Sequence, residues 1–329
     1  MKTLVIGASG FLGSHLVREL LKRNFKVRVF VRPESSLLAL ENLEVEIFFG
    51  DLNNLSSLNV AMKGCSSVFH AGAYYPLYSL DREAQIKEAL QQTQHFLKAL
   101  EKNKIKKCIY TSSISTIGKE TSSLSNEETP YESKKMPGLY YEIKYLMEQE
   151  VLKAARKSLP IIIMNPTGLF GEGDVKPTSG TLVLEIARKN LPFIFNGKMN
   201  VVDVREVAHA QVNALEKGRI GERYILGGVN TTFPEFCQIV AGLAKVSAPH
   251  FKMPLVLARP LALAAEIFSK AFNQQKPIFP VVGLDFIQNG IHVDCQKAKD
   301  ELGLRETNLK ETIGRTLQWF RKKGYFEKD

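Results

Sequence analysis

A run of glycines separates an apolar segment from an amphipathic one near the start of the chain. Leu4–Ile6 predicts a strand, Phe11–Lys22 predicts a helix, and Gly7, Gly10 and Gly13 form a GxxGxxG pattern at their junction. Glycines there permit a tight turn and close backbone approach to a pyrophosphate, which the helix N-terminus attracts. We therefore predict a dinucleotide site; a structural turn without a ligand is the alternative. The predicted contacts on this turn are Gly7, Ser9, Gly10, Phe11, Leu12 and Gly13.

Short apolar runs alternate with helical patterns through the first half of the chain. The further runs predicted as strands are Val27–Val31, Val45–Phe49, Ser67–His70, Cys108–Thr111 and Ile161–Met164. Ala84–Lys102 and Leu139–Lys157 are among the helical patterns between them. This alternation is typical of a parallel sheet, and few outward polar positions suit a sheet covered on both faces. The fold class predicted is α/β, with a doubly wound parallel-sheet Rossmann domain.

The pattern changes after Asn165 to a loop rich in Gly, Pro and Asp that runs through Gly180. We expect the runs Asn200–Val204 and Tyr224–Leu226 to return to the sheet as strands. The remainder is mostly helical, with Phe233–Ala244, Leu255–Phe272 and Leu309–Lys323 as its clearest segments. The prediction is a Rossmann domain at 1–165, to which 199–228 returns, and a smaller, mostly helical C-terminal substrate domain at 166–198 and 229–329.

Composition describes an ordinary globular protein. The 329 residues are 44% hydrophobic and 24% charged, and the net charge of +10 comes from basic pairs and triplets scattered along the chain. A scattered excess is typical of a solvated surface rather than a nucleic-acid site. The four cysteines and six histidines show no metal-ligand spacing, so no metal is expected and the cysteines are interpreted as buried residues in a reducing compartment.

No apolar run is long enough to predict a membrane span. Leu255–Phe272 is the most apolar segment, but Arg259, Pro260 and Glu266 interrupt it, so we interpret it as core of the substrate domain. A peripheral membrane role is the alternative, because Lys252 lies beside it. The N-terminus has no signal-peptide pattern, which leads us to expect a cytoplasmic protein.

Two strand ends bear on the identity of the dinucleotide. An NAD site commonly has a carboxylate at the end of the second strand, where this chain has Arg32. A guanidinium can pair with a 2′-phosphate, so NADP(H) is favoured and NAD(H) stays possible; a solvent-exposed arginine is the alternative. Asp51 and Leu52, after the third strand, are predicted adenine contacts, with Asp51 as a helix N-cap the alternative. Small residues after the fourth strand, Ala71, Gly72 and Ala73, would let the cofactor pass, and His70 is interpreted as core.

A serine and a tyrosine–lysine pair have the chemistry of proton transfer. Ser113 follows the fifth strand, at the sheet edge where ligands of such folds bind. Tyr140 and Lys144 lie four residues apart in a predicted helix and so share a face, where the ammonium would favour the phenolate. Tyr131 and Lys135 have the same spacing but lie in a polar loop, so we favour Tyr140.

These motifs, in this order, resemble the extended short-chain dehydrogenase/reductase family, over nearly the whole chain. Asn165–Thr167, Asp174–Thr178 and Gly221–Gly228 look like its branch of hopanoid-associated sugar epimerases and dihydroflavonol reductase-like proteins. The resemblance implies a catalytic tyrosine at Tyr140, a ribose-binding lysine at Lys144 and a substrate-orienting serine at Ser113. It also implies that Asn165, Pro166 and Thr167 lie beside the nicotinamide.

The chain departs from the family pattern at two places. Ala89 stands where many members carry a relay asparagine, in a register set by Thr93, so we expect water or a neighbouring polar group to replace it and Ala89→Asn to be tolerated. Tyr74 and Pro76 fill a loop on the substrate side that is often polar. The predicted substrate contacts are Tyr75, Ser113 and Thr178, with the loop 171–178 bounding the cleft.

The function predicted is an NADP(H)-dependent oxidoreductase that transfers hydride between nicotinamide and a ketone or secondary alcohol carbon. A nucleotide-sugar epimerase or dehydratase with a retained cofactor is the alternative enzyme. A non-catalytic cofactor-sensing protein is the alternative outside enzymes. The expected partner is a small-molecule substrate, and a homodimer is possible.

Overall fold

The computed structural model describes residues 2–72, 74–75, 81–120, 122–132, 136–191, 193–271 and 281–326. Its strands are β1 (Lys2–Ile6), β2 (Lys26–Val31), β3 (Glu46–Phe49), β4 (Ser67–His70), β5 (Lys107–Thr111), β6 (Ile161–Pro166), β7 (Gly168–Phe170), β8 (Phe193–Ile194), β9 (Lys198–Asp203), β10 (Arg223–Leu226), β11 (Val229–Thr232) and β12 (Phe251–Lys252). Its helices are α1 (Phe11–Lys22), α2 (Leu55–Met62), α3 (Arg82–Lys102), α4 (Leu139–Arg156), α5 (Gly180–Ala187), α6 (Val204–Lys217), α7 (Phe233–Ala244), α8 (Leu255–Ala271), α9 (Val281–Gln288), α10 (Gln296–Leu302) and α11 (Leu309–Lys322).

A parallel sheet organises the first half of the chain. Within the described residues it has seven strands in the order β10-β6-β5-β4-β1-β2-β3, and every neighbouring pair is parallel. The strand order reverses direction between β1 and β4, which is the switch point where ligands of such sheets bind. The predicted α/β, doubly wound fold is confirmed.

Both faces of this sheet are buried, as the apolar strand pattern predicts. Val5 packs into one hydrophobic cluster, whereas its neighbours Leu4 and Ile6 pack into another on the opposite face. A third cluster lies outside the sheet and takes residues from α5, α7, α9 and α11. The chain thus has a core around the sheet and a second core among the C-terminal helices.

One strand predicted to return to the sheet lies elsewhere. Tyr224–Leu226 belongs to β10 and joins β6, as expected. Of the run Asn200–Val204, all but Val204, which begins α6, belongs to β9. This strand joins β7 and β11 in a separate three-stranded sheet, so that part of the predicted return of 199–228 is wrong. The reason is β7, a short strand inside the predicted loop after Asn165, which pairs with β9 from Gly168 onward. The division into two domains at the stated boundaries stays a prediction.

Helix α8 is oriented opposite to our expectation. Its buried side chains are small or polar, namely Ala258, Ala262, Glu266 and Ser269, while Leu257 and Leu261 are 61% and 63% exposed. The interpretation of Leu255–Phe272 as substrate-domain core is therefore wrong for these large apolar side chains; Phe272 lies outside the described residues. Among the described helices, none is both long and apolar enough to cross a membrane.

The four cysteines are buried and free, as interpreted from their spacing. Burial raises the pKa of the Cys237 thiol to about 12 and also raises the pKa of Cys108. Thiols held in the protonated form are poor nucleophiles, so these side chains act as small apolar residues of the core.

Candidate functional site

The glycine turn after β1 has the geometry that a dinucleotide requires. Gly7 has φ +78°, and a Cβ there would lie 2.5 Å from the backbone N of Gly72 in the turn after β4. A Cβ on Gly13 would lie 2.1 Å from the carbonyl oxygen of Gly7, so α1 approaches the turn more closely than any side chain permits. Gly10, the exposed N-cap, has no side chain with which to cap the helix. The amino end of α1 therefore presents backbone N–H groups, which suits a pyrophosphate.

The remaining residues predicted on this turn split into two groups. Ser9 is half-buried beside exposed Gly10, so both are accessible to a ligand. Leu12 is buried and packs into the sheet core, and the ring of Phe11 packs edge-on against His15 at 5.8 Å. The turn would thus bind through its backbone and Ser9, while Phe11 and Leu12 hold it in place.

Arg32 lies directly after β2 with 63% of its side chain exposed. Its Nε is 3.2 Å from Oε1 of Glu34, so the two exposed charges form a surface pair. The guanidinium is accessible for a phosphate, but Glu34 places a carboxylate beside it. The sequence analysis did not consider Glu34, although its position two residues after Arg32 could have predicted this pair.

The residues after β3 include Asp51, which we considered as an adenine contact or as the N-cap of α2. Asp51 Oδ1 accepts a hydrogen bond from the backbone N of Asn53, 2.7 Å away. The N-cap of α2 is Asn54, whose side chain accepts from the N of Ser57, so the alternative that Asp51 caps the helix is wrong. Leu52 is half-buried, and its carbonyl oxygen is 3.2 Å from Nδ1 of His95. Their contact with adenine stays a prediction.

The turn after β4 closes the cofactor crevice next to Gly7. The N of Ala71 donates to the carbonyl oxygen of Ile6 at 2.9 Å, which extends the β1–β4 pairing into the turn. His70 is buried against Phe96 and Tyr110, and burial lowers its pKa to about 3, so it is a neutral core residue as interpreted. Ala73, another predicted contact, lies outside the described residues.

Ser113, Tyr140 and Lys144 come together behind the carboxyl end of β5. Ser113 begins a 3₁₀ turn over Ile114–Thr116, and its Oγ accepts a hydrogen bond from the hydroxyl of Tyr140 at 3.3 Å. On α4, Lys144 Nζ lies 5.8 Å from the centre of the Tyr140 ring, and both side chains are buried. The shared helical face expected from the spacing is present.

The pKa of Tyr140 reflects the burial of its side chain. Burial raises it, and only the hydroxyls of Ser113 and Ser115 act in the opposite sense. Lys144 is itself buried, which lowers its pKa to about 8, while the charge of Glu148 raises it. Desolvation thus dominates in the protein without cofactor, and the prediction that Lys144 and the cofactor together lower the Tyr140 pKa stays a prediction. At neutral pH Tyr140 holds its proton.

Four polar residues that sequence reasoning missed support this cluster. Ser115 Oγ donates to Ser113 Oγ at 3.0 Å. The carboxylate of Glu148 is fully buried and accepts from Thr116 Oγ1 at 2.8 Å, and Arg223 Nη1 lies 3.5 Å from its other oxygen. Glu148 follows Lys144 by four residues, so the helical spacing could have predicted that it shares a face of α4 with Lys144. No sequence pattern indicates Ser115, Thr116 or Arg223.

Asn165, predicted to lie beside the nicotinamide, is tied to the same network. Its Nδ2 donates to the carbonyl oxygen of Ser113 at 3.1 Å and to Oε2 of Glu148 at 2.7 Å, and its buried Oδ1 has no partner within the described residues. Pro166 is buried at the end of β6, and Thr167 Oγ1 donates to Asn200 Oδ1 at 2.7 Å. Asn165 thus positions the serine turn, and a nicotinamide contact by the three residues stays a prediction.

Tyr131, the tyrosine of the second pair, packs on a different ring from Tyr140. The ring of Tyr131 stacks on that of Tyr145 at 4.9 Å, and burial raises the pKa of Tyr131 to about 12. It lines a polar cavity with Glu127, and this cavity reaches Thr116 and Arg223 of the supporting network. Lys135 lies outside the described residues. Our choice of Tyr140 stays a prediction, supported by its contact with Ser113.

Aromatic rings surround the hydroxyl end of the site. The centre of the Tyr75 ring lies 5.2 Å from that of Tyr140, and Phe286 packs edge-on against Tyr140 at 4.9 Å. Tyr141 packs against Phe286, and its hydroxyl donates to the carbonyl oxygen of Asp285 at 3.4 Å. Tyr75 is 44% exposed, so this aromatic wall is open to a ligand at its edge.

Thr178 lies elsewhere, at the amino end of α5. Its backbone N donates to Asp174 Oδ2 at 3.0 Å, and Tyr325 OH donates to the carbonyl oxygen of Val175 in the same loop. The loop also contacts α1, because Nε2 of His15 is 2.8 Å from the carbonyl oxygen of Glu172. None of the contacts found among the described residues joins Thr178 to Ser113 or Tyr140, and its role at the substrate stays a prediction.

Ala89 faces an apolar cluster. It is 1% exposed and packs with Leu139, Ile143 and Met147 on the face of α4 next to that of Lys144, with Tyr74 at the edge. The charged group that acts on the Lys144 pKa is Glu148, one turn along the same helix. This packing argues against the expectation that Ala89→Asn is tolerated, because the amide would enter an apolar environment. Tyr74 OH donates to Glu88 at 3.3 Å, and Pro76 lies outside the described residues.

A glycine cradle at a parallel-sheet switch point, with a serine–tyrosine–lysine cluster beside it, defines a nicotinamide-dependent enzyme of the extended short-chain dehydrogenase/reductase type. A sequence model of the NAD dependent epimerase/dehydratase family matches residues 3–227. The chain belongs to this family and is an NAD(P)-dependent oxidoreductase or epimerase.

Three similar proteins agree with this assignment. A Synechocystis sp. protein provisionally named dihydroflavonol 4-reductase is 34% identical over 98% of this chain and 95% of its own length. Sterol demethylase protein B of Methylococcus capsulatus is 30% identical over 98% of this chain and 99% of its own. The crystal structure of gox2253 superposes with a TM-score of 0.86 at 34% identity, covering 99% of each chain.

Proposed function

We propose that this protein is an NADP(H)-dependent reductase that converts a ketone on an apolar ring system to a secondary alcohol, or catalyses the reverse reaction. The observation that carries the proposal is the hydrogen bond between Tyr140 and Ser113 inside an aromatic wall. The glycine turn fits a dinucleotide, since Gly7 and Gly13 leave no room for any Cβ. Gly7, Ser9, Gly10 and Gly13 would hold its pyrophosphate, Arg32 its 2′-phosphate and Lys144 its ribose.

The proton chemistry follows from the hydrogen bonds of Ser113. When bound, the nicotinamide ring supplies or accepts hydride at its C4 atom. Ser113 Oγ accepts from the N and Oγ of Ser115 and from Tyr140, so its own proton is free to be donated to a substrate oxygen. Tyr140, whose pKa burial raises, gives its phenolic proton to the same oxygen as the alkoxide forms. Lys144 keeps a positive charge beside this phenol at neutral pH.

The aromatic wall argues for an apolar substrate. Tyr75 and Phe286 flank the Tyr140 ring, and neither offers the charged groups that a diphosphate requires. Two relatives carry dihydroflavonol and sterol in their names, and both words describe fused-ring compounds. The test is a pair of assays: oxidation of NADPH in the presence of a 3-ketosteroid or a dihydroflavonol, and conversion of UDP-glucose to its C4 epimer, which needs no net oxidation of cofactor. Turnover with either ketone supports the proposal, and turnover with UDP-glucose alone contradicts it.

Arg32 sets the cofactor preference in this proposal. A charge-assisted pair with the 2′-phosphate contributes about 1.5 to 3 kcal/mol, or roughly ten- to 150-fold in affinity. Arg32→Ala should weaken NADPH binding by that factor and leave NADH binding nearly unchanged, and Glu34→Gln should strengthen NADPH binding. Fluorescence titration with both cofactors measures this. Equal affinity of the wild type for NADH and NADPH would remove the basis for the NADP(H) assignment.

An epimerase or dehydratase is the second candidate, because the family name includes both reactions. Such an enzyme oxidises and re-reduces one substrate on a retained cofactor, whereas a reductase exchanges its cofactor each turnover. Mass spectrometry of nucleotide that copurifies with the protein separates the two. Tightly held NAD favours the epimerase, and exchangeable NADPH favours the reductase. A cofactor sensor without turnover is disfavoured by the complete Ser113–Tyr140–Lys144 cluster.

A further inference from the structure

Helix α8 presents an apolar face to solvent. The apolar face consists of Val256, Leu257, Leu261, Leu263 and Ile267, which are 83%, 61%, 63%, 41% and 51% exposed. A helix of a globular domain ordinarily turns its large apolar side chains to the core and its polar ones to water. Here the opposite side, with Ala258, Ala262 and Glu266, is buried. Apolar surface of this extent marks an interaction site.

The apolar surface continues beyond the helix. Phe251 is 62% exposed in β12, four residues before α8 begins at Leu255. Its partner strand β8 contributes Phe193, which is 36% exposed. Two further apolar rings are therefore exposed on the strand pair that leads into α8.

The charges beside the apolar face have one sign. The exposed charged side chains in residues 245–269 are Lys245, Lys252 and Arg259, of which Arg259 already pairs with the buried carboxylate of Asp285 at 2.7 Å. The acid of the segment, Glu266, is fully buried, and its Oε1 accepts from the N of Val281 at 2.9 Å. The whole chain carries a formal charge of +10. A negatively charged partner is therefore favoured over a second copy of this chain, which would bring the same positive net charge and a second Lys252 to the contact.

We propose that the apolar face of α8 docks on the surface of an anionic lipid bilayer. The helix would lie in the plane of the interface, with Leu257 and Leu261 among the acyl chains and Lys252 at the headgroups. Its 17 residues make it about 25 Å long, which suits an interfacial helix. This surface is separate from the catalytic cluster, so docking does not depend on the proposed function.

The experiment is sedimentation of the full chain with lipid vesicles. Vesicles of phosphatidylcholine alone are compared with vesicles that also contain phosphatidylglycerol. The wild type should bind the anionic vesicles more tightly. Leu257→Ser/Leu261→Ser should weaken that binding about tenfold or more, since two leucines no longer enter the interface. Lys252→Gln should weaken it about fivefold.

The matched control is Ile220→Ser, because Ile220 is 52% exposed in the loop before β10. This variant should bind vesicles like the wild type. The proposal is overturned if the wild type binds neither kind of vesicle, or binds both kinds equally. It is also overturned if Leu257→Ser/Leu261→Ser binds like the wild type. A wild-type dimer that this variant converts to a monomer, in sedimentation equilibrium without lipid, would assign the face to a second copy instead.

Discussion

The substitution Glu148→Gln is expected to change the charge state of Lys144 without removing any group that touches substrate. The Glu148 carboxylate is fully buried one turn after Lys144 and raises the pKa of that lysine against the effect of burial. Glutamine keeps the length of the side chain and one acceptor oxygen for Thr116 and Asn165, but it removes the negative charge. The pKa of Lys144 should therefore fall.

The size of the shift follows from helix geometry. Residues four apart on a helix have Cβ atoms about 6 Å apart. At that separation, with an effective dielectric constant of about 20, two unit charges interact by about 3 kcal/mol, which is about 2 pKa units. The pKa of Lys144 is about 8 in the wild type. In the variant we expect roughly 6, so that Lys144 becomes mostly neutral at pH about 7.

The assay is NADPH affinity as a function of pH, which needs no substrate. In the proposed site Lys144 in its charged form would donate hydrogen bonds to the ribose, so affinity should decline as pH rises through the pKa of Lys144 in the free enzyme. The decline should begin near pH 8 in the wild type, at the pKa of the lysine. In Glu148→Gln it should begin about 2 pH units lower.

Two variants separate charge from structure. Glu150→Gln removes a partly exposed carboxylate on the same helix, paired with Lys153 at 2.7 Å, and should keep the wild-type profile. Glu148→Asp keeps the negative charge and should have a pH profile close to that of the wild type. The reasoning fails if the Glu148→Gln profile superimposes on that of the wild type while thermal unfolding shows a folded protein.

Three further predictions follow from other parts of the site. Tyr140→Phe should lower turnover of the accepted ketone by about two to four orders of magnitude with little change in NADPH affinity, while Tyr131→Phe stays near wild type; the opposite result would reverse our choice of tyrosine. Ala89→Asn should lower the free energy of unfolding by about 1 to 3 kcal/mol in urea titration, because it buries an amide among apolar side chains, and an unchanged midpoint would contradict the packing described. Asp285 has its pKa raised to about 6 by burial, although Arg259 acts in the opposite sense. Its contribution to stability is present below its unfolded pKa and is lost as pH rises through about 6. Asp285→Asn should thus stabilise the protein by up to about 3 kcal/mol at neutral pH and not at pH about 4, and equal stabilisation at both pH values would contradict this.

Local patterns were sufficient to predict the first half of the fold. The β1 turn needs glycine at Gly7 and Gly13 for steric reasons, so the residues themselves specify the strand–turn–helix unit. The helical spacing of Tyr140 and Lys144 specifies their common face. These features depend on neighbours within one or two helical turns, which a sequence displays directly.

Features that depend on distant partners could not be predicted in this way. Whether Asn200–Val204 joins the large sheet depends on β7 and β11, which lie far from it along the chain. Apolar content alone does not say which face of α8 is buried. The pKa of Tyr140 depends on the burial of the whole cluster, whereas spacing displays only its lysine partner.

The contacts of Arg259 join helix α8 to the start of α4, the helix that carries Tyr140 and Lys144. Its Nη1 lies 2.7 Å from Asp285 Oδ1, and its Nη2 donates to the carbonyl oxygen of Pro137 at 3.4 Å. A Cβ on Gly138, the N-cap of α4, would lie 2.1 Å from Asp285 Oδ2. The Asp285 carboxylate therefore packs directly against the backbone of Gly138. If binding of a ligand to α8 changes the affinity of a second ligand near Tyr140, that second ligand changes the affinity of α8 for its ligand by the same factor. The ratio of the NADPH dissociation constants with and without vesicles measures that factor.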